Sequence, residues 1–152
     1  LAGISFGNSL IKTVVQTLSR ELPGLSVFVT LSPIPGFIGW CSELNIRTDS
    51  LQNGDLRRLV AYYLLNGKRS DGRPIDPVAR FHLNNGALVD AIHNDADISS
   101  KGMLQSAGLM VNYLYDLPHL AENHEEFATD NKVIASNDVR NLASEAKKLH
   151  QF

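Results

Sequence analysis

Leu25-Ser-Val-Phe-Val-Thr-Leu-Ser-Pro-Ile-Pro-Gly-Phe37 is the stretch on which the fold turns. Residues 25–31 are short, β-branched and apolar, the composition of a buried strand. Ser32 then meets Pro33 and Pro35, which fix φ and remove two backbone donors, so regular structure must stop there. On the N-terminal side a helix is expected. Asn8 or Ser9 is a suitable cap, and Leu10, Ile11, Val14, Val15 and Leu18 recur at helical spacing, with Lys12, Gln16 and Arg20 opposite. Pro23-Gly24 ends that helix.

Working downstream, residues 55–65 read as a helix with Leu56, Leu59, Val60 and Tyr63 on one face, closed by Asn66 and Gly67. Residues 70–77 are a loop rich in Gly, Pro and Asp. A helix starts over 78–82, is disturbed by Asn84-Asn85-Gly86, and gives way to a second helical stretch over 87–92. Residues 107–115 read as a strand, because Leu109, Val111 and Tyr113 alternate with Met110, Asn112 and Leu114. A closing amphipathic helix is expected over 137–149, on Val139, Leu142, Ala146 and Leu149. Residues 41–54 show little periodicity and look patched, as though a loop were missing near Ser50. No internal repeat or low-complexity tract interrupts this α/β pattern.

The chain has 152 residues, the size of one ordinary domain. Hydrophobic residues make up 43% and charged residues 20%, enough for a packed core. The formal net charge is -2 and the cations are dispersed, which argues against a nucleic-acid surface. No apolar run approaches the roughly 20 residues that a membrane-spanning helix needs. Cys41 is the only cysteine, so neither an internal disulfide nor a cysteine-based metal site is available, and a reducing compartment fits. Leu1 opens directly onto an apolar, glycine-containing segment without the pattern of a signal peptide, which reads as a cut through a domain.

Four constellations carry chemistry. Gly3 and Gly7 lie in a loop that feeds the first helix, where free N–H groups and the helix dipole favour phosphate. Ser32 is a hydroxyl at a strand end, held by prolines; rigid placement suits a reacting group, although taken alone a strand-exit turn with a capping serine is the ordinary reading. His82 lies between Phe81 and Leu83. A neutral imidazole there trades a proton with a bound substrate, or serves as a core histidine bonded to a carbonyl. Asn112, Tyr113 and Tyr115 bring polar tips onto the strand at 107–115. His93, His119, His124 and His150 sit near polar residues or the chain end and are expected at the surface. No histidine pair has metal-ligand spacing with a third ligand, so no metal site is expected.

The order of these motifs is more specific than any one of them. Leu-Ser-Pro-Ile-Pro-Gly-Phe at 31–37, then Pro-Val-Ala-Arg-Phe-His-Leu-Asn-Asn-Gly-Ala at 77–87, then Gly-Leu-Met-Val-Asn-Tyr-Leu-Tyr at 108–115, resembles malonyl-CoA decarboxylase. The opening segment through Val15 is similar to the same family, while the tail from Leu117 is generic. The resemblance implies the C-terminal part of a catalytic domain with a fold like the GNAT-type acetyltransferases, a mixed sheet flanked by helices, and a loop omitted near 41–54. It implies that Ser32 and His82 are the catalytic serine and histidine and that Tyr115 is an active-site tyrosine. Ala2, Gly3, Ile4, Ser5, Phe6, Gly7 and Asn8 would form the loop that holds the coenzyme A pyrophosphate, and Asn84 is a further candidate contact.

Two departures from the family stand out. Ser5 occupies a place where some members carry glutamate, and the segment between Trp40 and the helix at Asp55 is shorter than usual. The activity implied is conversion of malonyl-CoA to acetyl-CoA and CO2, without a metal or organic cofactor, because the thioester is its own electron sink. A homo-oligomer is implied, in the cytoplasm if the source is bacterial or in the mitochondrial matrix if it is eukaryotic. An acyl-CoA-dependent acyltransferase and a non-catalytic acyl-CoA-binding module are the alternatives. A Ser/His hydrolase fits less well, since Ser32 lacks a Gly-x-Ser-x-Gly elbow.

Overall fold

The first helix already extends and revises the sequence reading. A computed structural model describes residues 5–150 and 152, and of residues 5–9 the backbone alone. Helix α1 runs Ser5–Glu21, so the expected start near Asn8 is too late. Gly7 costs a helix interior only about 1 kcal/mol, and no proline forbids helix over 5–8. Among its described apolar side chains only Val15 is buried; Leu10 and Val14 stand 54% and 46% exposed.

The remaining elements follow in order. They are β1 (Val29–Ser32), α2 (Phe37–Glu43), a 3-10 turn (Thr48–Ser50), α3 (Asn53–Asn66), α4 (Pro77–Asn84) and β2 (Leu88–His93). After these come α5 (Ser100–Ser106), β3 (Met110–Leu114), a 3-10 turn (Leu117–His119), α6 (Leu120–Asp130) and α7 (Asn137–His150). Among the described residues the strands form one antiparallel sheet in the order β1-β3-β2. Its only parallel element is a single bridge, Val89 to Ala135. The α/β class and the flanking helices are as expected; the mixed character of the sheet rests on that one bridge.

Two expectations are overturned, each for a physical reason. Residues 87–92 were expected to be helical, but Leu88–His93 is strand β2. A bulge between Val89 and Ala91 inserts one residue, so the buried positions Val89 and Ile92 fall three apart. That spacing imitates a helical face, whereas a regular strand buries every second residue. Residues 25–31 were expected to be a buried strand. Strand β1 starts only at Val29 and lies at the sheet edge, with Val27, Val29 and Leu31 exposed.

The core lies between the sheet and α3, α4 and α7. Helix α3 buries Leu56, Leu59, Val60, Tyr63 and Leu64, the i, i+3, i+4, i+7, i+8 positions of one face. It packs most extensively on α7, whose Val139, Ala143 and Ala146 let the two backbones approach. Fully burying a side chain such as Leu59 or Leu64 contributes roughly 1.5–3 kcal/mol. Trp40, in the middle of α2, sits with its ring 5.2 Å from that of Tyr63 and packs in the core.

Candidate active site

The site is assembled from three chain segments, each fixed by its own local chemistry. Ser32 ends β1 opposite Val111. Ile34, fully buried between the two prolines, plugs the following turn into the core. At Gly36 a Cβ would collide with the hydroxyl of Tyr63, so only glycine allows the turn to pack so closely.

His82 is carried by α4. Asp76 caps that helix, its carboxylate accepting from Ala79 N at 2.9 Å, with Pro77 at the first helical position. The Tyr63 hydroxyl donates to the same carboxylate at 3.4 Å, and the Gly36 N–H also bonds to it. Asp76 is only 1% exposed. Burial pushes its pKa up, while the bonds from Ala79, Gly36, Tyr63 and Val78 act to lower it. One carboxylate thus ties the turn that carries Ser32 to the helix that carries His82. Helix α4 ends at Asn85 and Gly86; Gly86 has φ +85°, and a Cβ there would strike the Leu120 carbonyl.

Tyr115 follows β3 directly, and its N–H donates to Phe28 O at 2.8 Å. The three segments meet at the imidazole. His82 Nε2 lies 3.1 Å from Ser32 Oγ, and Nδ1 lies 2.6 Å from Tyr115 Oη. The Tyr113 ring stacks on the imidazole with centroids 4.4 Å apart, and Phe81 meets it edge-on at 5.1 Å. His82 is 6% exposed, and this burial lowers its pKa to about 4. Burial also pushes the Tyr115 hydroxyl up to about 12. At neutral pH both side chains are therefore uncharged.

The hydrogen-bond network assigns the ring proton. Asn85 Nδ2 donates to Tyr115 Oη at 3.4 Å. The Tyr115 proton then goes to His82 Nδ1, the acceptor at 2.6 Å. Nε2 carries the remaining proton and donates to Ser32 Oγ, whose own proton has Thr30 Oγ1 as its acceptor at 3.0 Å. This tautomer belongs to the Asn85 orientation described; with the amide turned over, its unpartnered Oδ1 would accept the Tyr115 proton and the ring proton would sit on Nδ1. Asn85, Tyr115, His82, Ser32 and Thr30 form one continuous hydrogen-bond chain.

A cavity of about 500 Å³ opens beside this chain. Leu10, Val14 and Leu18 of α1 form one wall, and Val27, Thr30 and Tyr115 line the other side. Its walls are mostly apolar, with the Thr30 and Tyr115 side chains at the edge of the polar network.

The family model described as "Malonyl-CoA decarboxylase C-terminal domain" matches residues 1–53 and 43–151. This chain belongs to the malonyl-CoA decarboxylase family. It is 33% identical over 190 residues to the mitochondrial malonyl-CoA decarboxylase of Mus musculus, covering 95% of this chain and 38% of that protein. The crystal structure of malonyl-CoA decarboxylase from Rhodopseudomonas palustris superposes with TM-score 0.79 at 43% identity, over 93% of this chain and 39% of that one. That from Agrobacterium vitis gives TM-score 0.82 at 42% identity, over 93% and 42%. The chain therefore spans about two fifths of the length of these malonyl-CoA decarboxylases. No helix among the described residues is long and apolar enough to cross a membrane.

Within this malonyl-CoA decarboxylase family member, the structure brings Ser32, His82 and Tyr115 together. Asn84 does not join them: its carbonyl accepts from His124 Nδ1, and the neighbouring Asn85 reaches Tyr115 instead. Of the anticipated pyrophosphate loop, Ala2, Gly3 and Ile4 lie outside the described residues, as do the side chains of Ser5, Phe6, Gly7 and Asn8. The backbone of Ser5 through Asn8 is helix rather than loop. Asp76 and Thr30 were not singled out from sequence. Asp76 carries a legible signal, since Asp before Pro marks a helix cap. Nothing in the sequence pairs Thr30 with Ser32 beyond their i, i+2 spacing on a strand.

Proposed function

We propose that the complete polypeptide decarboxylates malonyl-CoA to acetyl-CoA and CO2, and that this chain supplies the acid for it. The observation that carries the reading is the buried Ser32–His82–Tyr115 chain, with its bonds of 3.1 and 2.6 Å. When the bond to the malonyl carboxylate breaks, CO2 leaves and the electron pair passes into the thioester as an enolate. The enolate carbon then needs one proton.

His82 provides that proton from Nε2, on the side where Ser32 lies. Tyr115 donates to Nδ1, so its proton follows as the Nε2 proton departs, leaving the charge as a Tyr115 phenolate until that oxygen regains a proton from solvent through the cavity it lines. Ser32 fixes the ring through its bond to Nε2. The low pKa of His82, about 4, keeps the ring neutral and undivided between protonation states across the physiological range. No step calls for a metal or an organic cofactor, because the thioester carbonyl accepts the charge.

The family relationship supports the substrate and the reaction. Incubating the complete polypeptide with malonyl-CoA and measuring CO2 and acetyl-CoA release tests it. Equal amounts of both are expected; release of free coenzyme A with transfer of the acyl group to an acceptor would replace this reading by the acyltransferase one.

We also infer that relatives carry residues between Glu43 and Asn53 that this chain lacks. Two observations support that: the two matched segments of the family model overlap at 43–53, and the alignment with the mouse protein, at 190 residues, is longer than this chain.

A further inference from the structure

We propose that Thr30 is a positioning residue for the decarboxylation described above, acting on Ser32 through its hydroxyl. The inference rests on that functional reading for its kinetic consequence and on geometry for the rest. Thr30 and Ser32 are two apart on β1 and paired with Tyr113 and Val111, so both side chains stand on the inner face of the sheet. Their hydroxyl oxygens are 3.0 Å apart. Ser32 is only 4% exposed and does not line the cavity, whereas Thr30 does. Thr30 is therefore where the Ser32 end of the hydrogen-bond chain meets the cavity, as Tyr115 does at the other end.

Three features hold Thr30 in place. Its carbonyl accepts from Asn112 Nδ2 at 3.0 Å, and Asn112 in turn bonds His93 across β2. Its branched Cβ restricts χ1 in a strand. Its Oγ1 lies 3.0 Å from Ser32 Oγ and, with Nε2 donating to that oxygen, accepts the Ser32 proton. A serine hydroxyl has three staggered positions and small barriers between them. With His82 Nε2 donating from one side and Thr30 Oγ1 accepting on the other, a single orientation of Ser32 is selected before substrate arrives. A threonine at this position thus works by removing the alternative rotamers of Ser32, not by touching the carbon that reacts.

The test uses the complete polypeptide and four variants: Thr30→Val, Thr30→Ser, Ser32→Ala and the double variant of Thr30→Val with Ser32→Ala. Thr30→Val keeps the branched shape and β1 pairing while deleting the hydroxyl. Its kcat for malonyl-CoA should fall about tenfold, the scale of one well-formed hydrogen bond, with KM changed less than about twofold. Thr30→Ser should recover most of the loss, and Thr30→Val should add nothing in the Ser32→Ala background. In NMR spectra of the resting protein, the His82 Nε2 proton should shift in Thr30→Val and return in Thr30→Ser.

Unchanged kcat in folded Thr30→Val overturns the proposal. So does an equal loss in Thr30→Ser, which would make the effect one of packing, or an undiminished effect in the Ser32→Ala background. If the wild-type protein releases no CO2 from malonyl-CoA, the functional reading fails by itself. The Nε2 signal then still decides: a shift in Thr30→Val reversed in Thr30→Ser upholds the Thr30–Ser32 coupling, and its absence refutes it.

Discussion

The two sides of the site are built differently. On one side, His82 rides a helix whose cap, terminal glycine and stacking partner are all buried in residues of this chain. On the other, Ser32 ends an edge strand whose neighbours Val29 and Leu31 are about half exposed, at 51% and 55%. The imidazole is thus set by a completed core, while the serine is set by that core on its inner face only. The comparison teaches that the imidazole is preorganised by packing. The hydroxyl end depends instead on a few directed hydrogen bonds and on the proline-stiffened turn after Ser32.

The largest effect that sharpens this contrast falls on the packed side. In the complete polypeptide, His82→Asn keeps a similar size and a hydrogen-bonding group but cannot deliver a proton near neutral pH. Steady-state assays should show malonyl-CoA turnover falling about 10²-fold or more, with KM far less affected. Ser32→Ala should act in the same direction. If the two residues work as a unit, the double variant should lose much less than the product of the single losses. A folded His82→Asn protein with near-normal turnover would break the assignment.

Asp76→Ala should come next, because it unties both sides at once. It removes the cap of α4 and leaves the Gly36 N–H and the Tyr63 hydroxyl without their shared partner. A loss of about 2–3 kcal/mol in denaturant unfolding is expected, together with reduced activity. Undiminished stability would show that the turn and the helix hold their places independently.

Acid stability separates the two sides by their chemistry. The folded pKa of His82, about 4, lies below its unfolded value near 6.5. Above pH 6.5 neither state takes up the proton and the group contributes nothing to pH dependence. As pH falls from 6.5 towards 4 the unfolded chain binds the proton first, so folding is progressively weakened, by up to about 3 kcal/mol on this conversion. His82→Asn should lose less stability than the wild type over that window in denaturant titrations. Parallel curves for the two proteins would contradict the burial argument. The raised pKa of Asp76 works in the opposite direction as the medium is acidified, and the difference between the two proteins isolates His82 from it.

The smallest effects belong to the open side. Val27→Thr and Val29→Thr, on exposed positions with little to lose, should each shift the stability of this chain by no more than about 0.5 kcal/mol. A much larger loss would mean that the β1 edge is packed after all. Chelation of divalent ions should leave the decarboxylation rate of the complete polypeptide unchanged. A loss reversed by one added metal would defeat the thioester-as-sink mechanism.

Ser32, His82 and Tyr115, which the structure brings together, were named through the order of three short motifs that resembles the family: Ser32 before two prolines, His82 before Asn-Asn-Gly, Tyr115 at the end of an alternating strand. The sequence pointed to Asn84, whereas Asn85 is the residue that reaches Tyr115. That choice depends on how the end of α4 turns against β3, a matter of tertiary packing. It misread 87–92, since a bulged strand and a helix both place apolar residues three apart. It read 25–31 as buried because apolar composition alone does not say whether a strand is central or at an edge. Asp76 was legible as a cap but not as a tie, because its other partners, Tyr63 and Gly36, come from distant positions in the chain.

The sequence distances inside the hydrogen-bond chain have a kinetic consequence. Ser32 and His82 are 50 residues apart, His82 and Tyr115 are 33, and the Asn112 bond that steadies Thr30 spans 82. Contacts of such high order are closed against a large loop entropy and form late, after local helices are in place. The Ser32–His82–Tyr115 chain is therefore among the last structures to appear in folding. During refolding, recovery of catalysis should track the slowest step rather than the return of helical signal, so activity is itself a stringent probe of the completed topology.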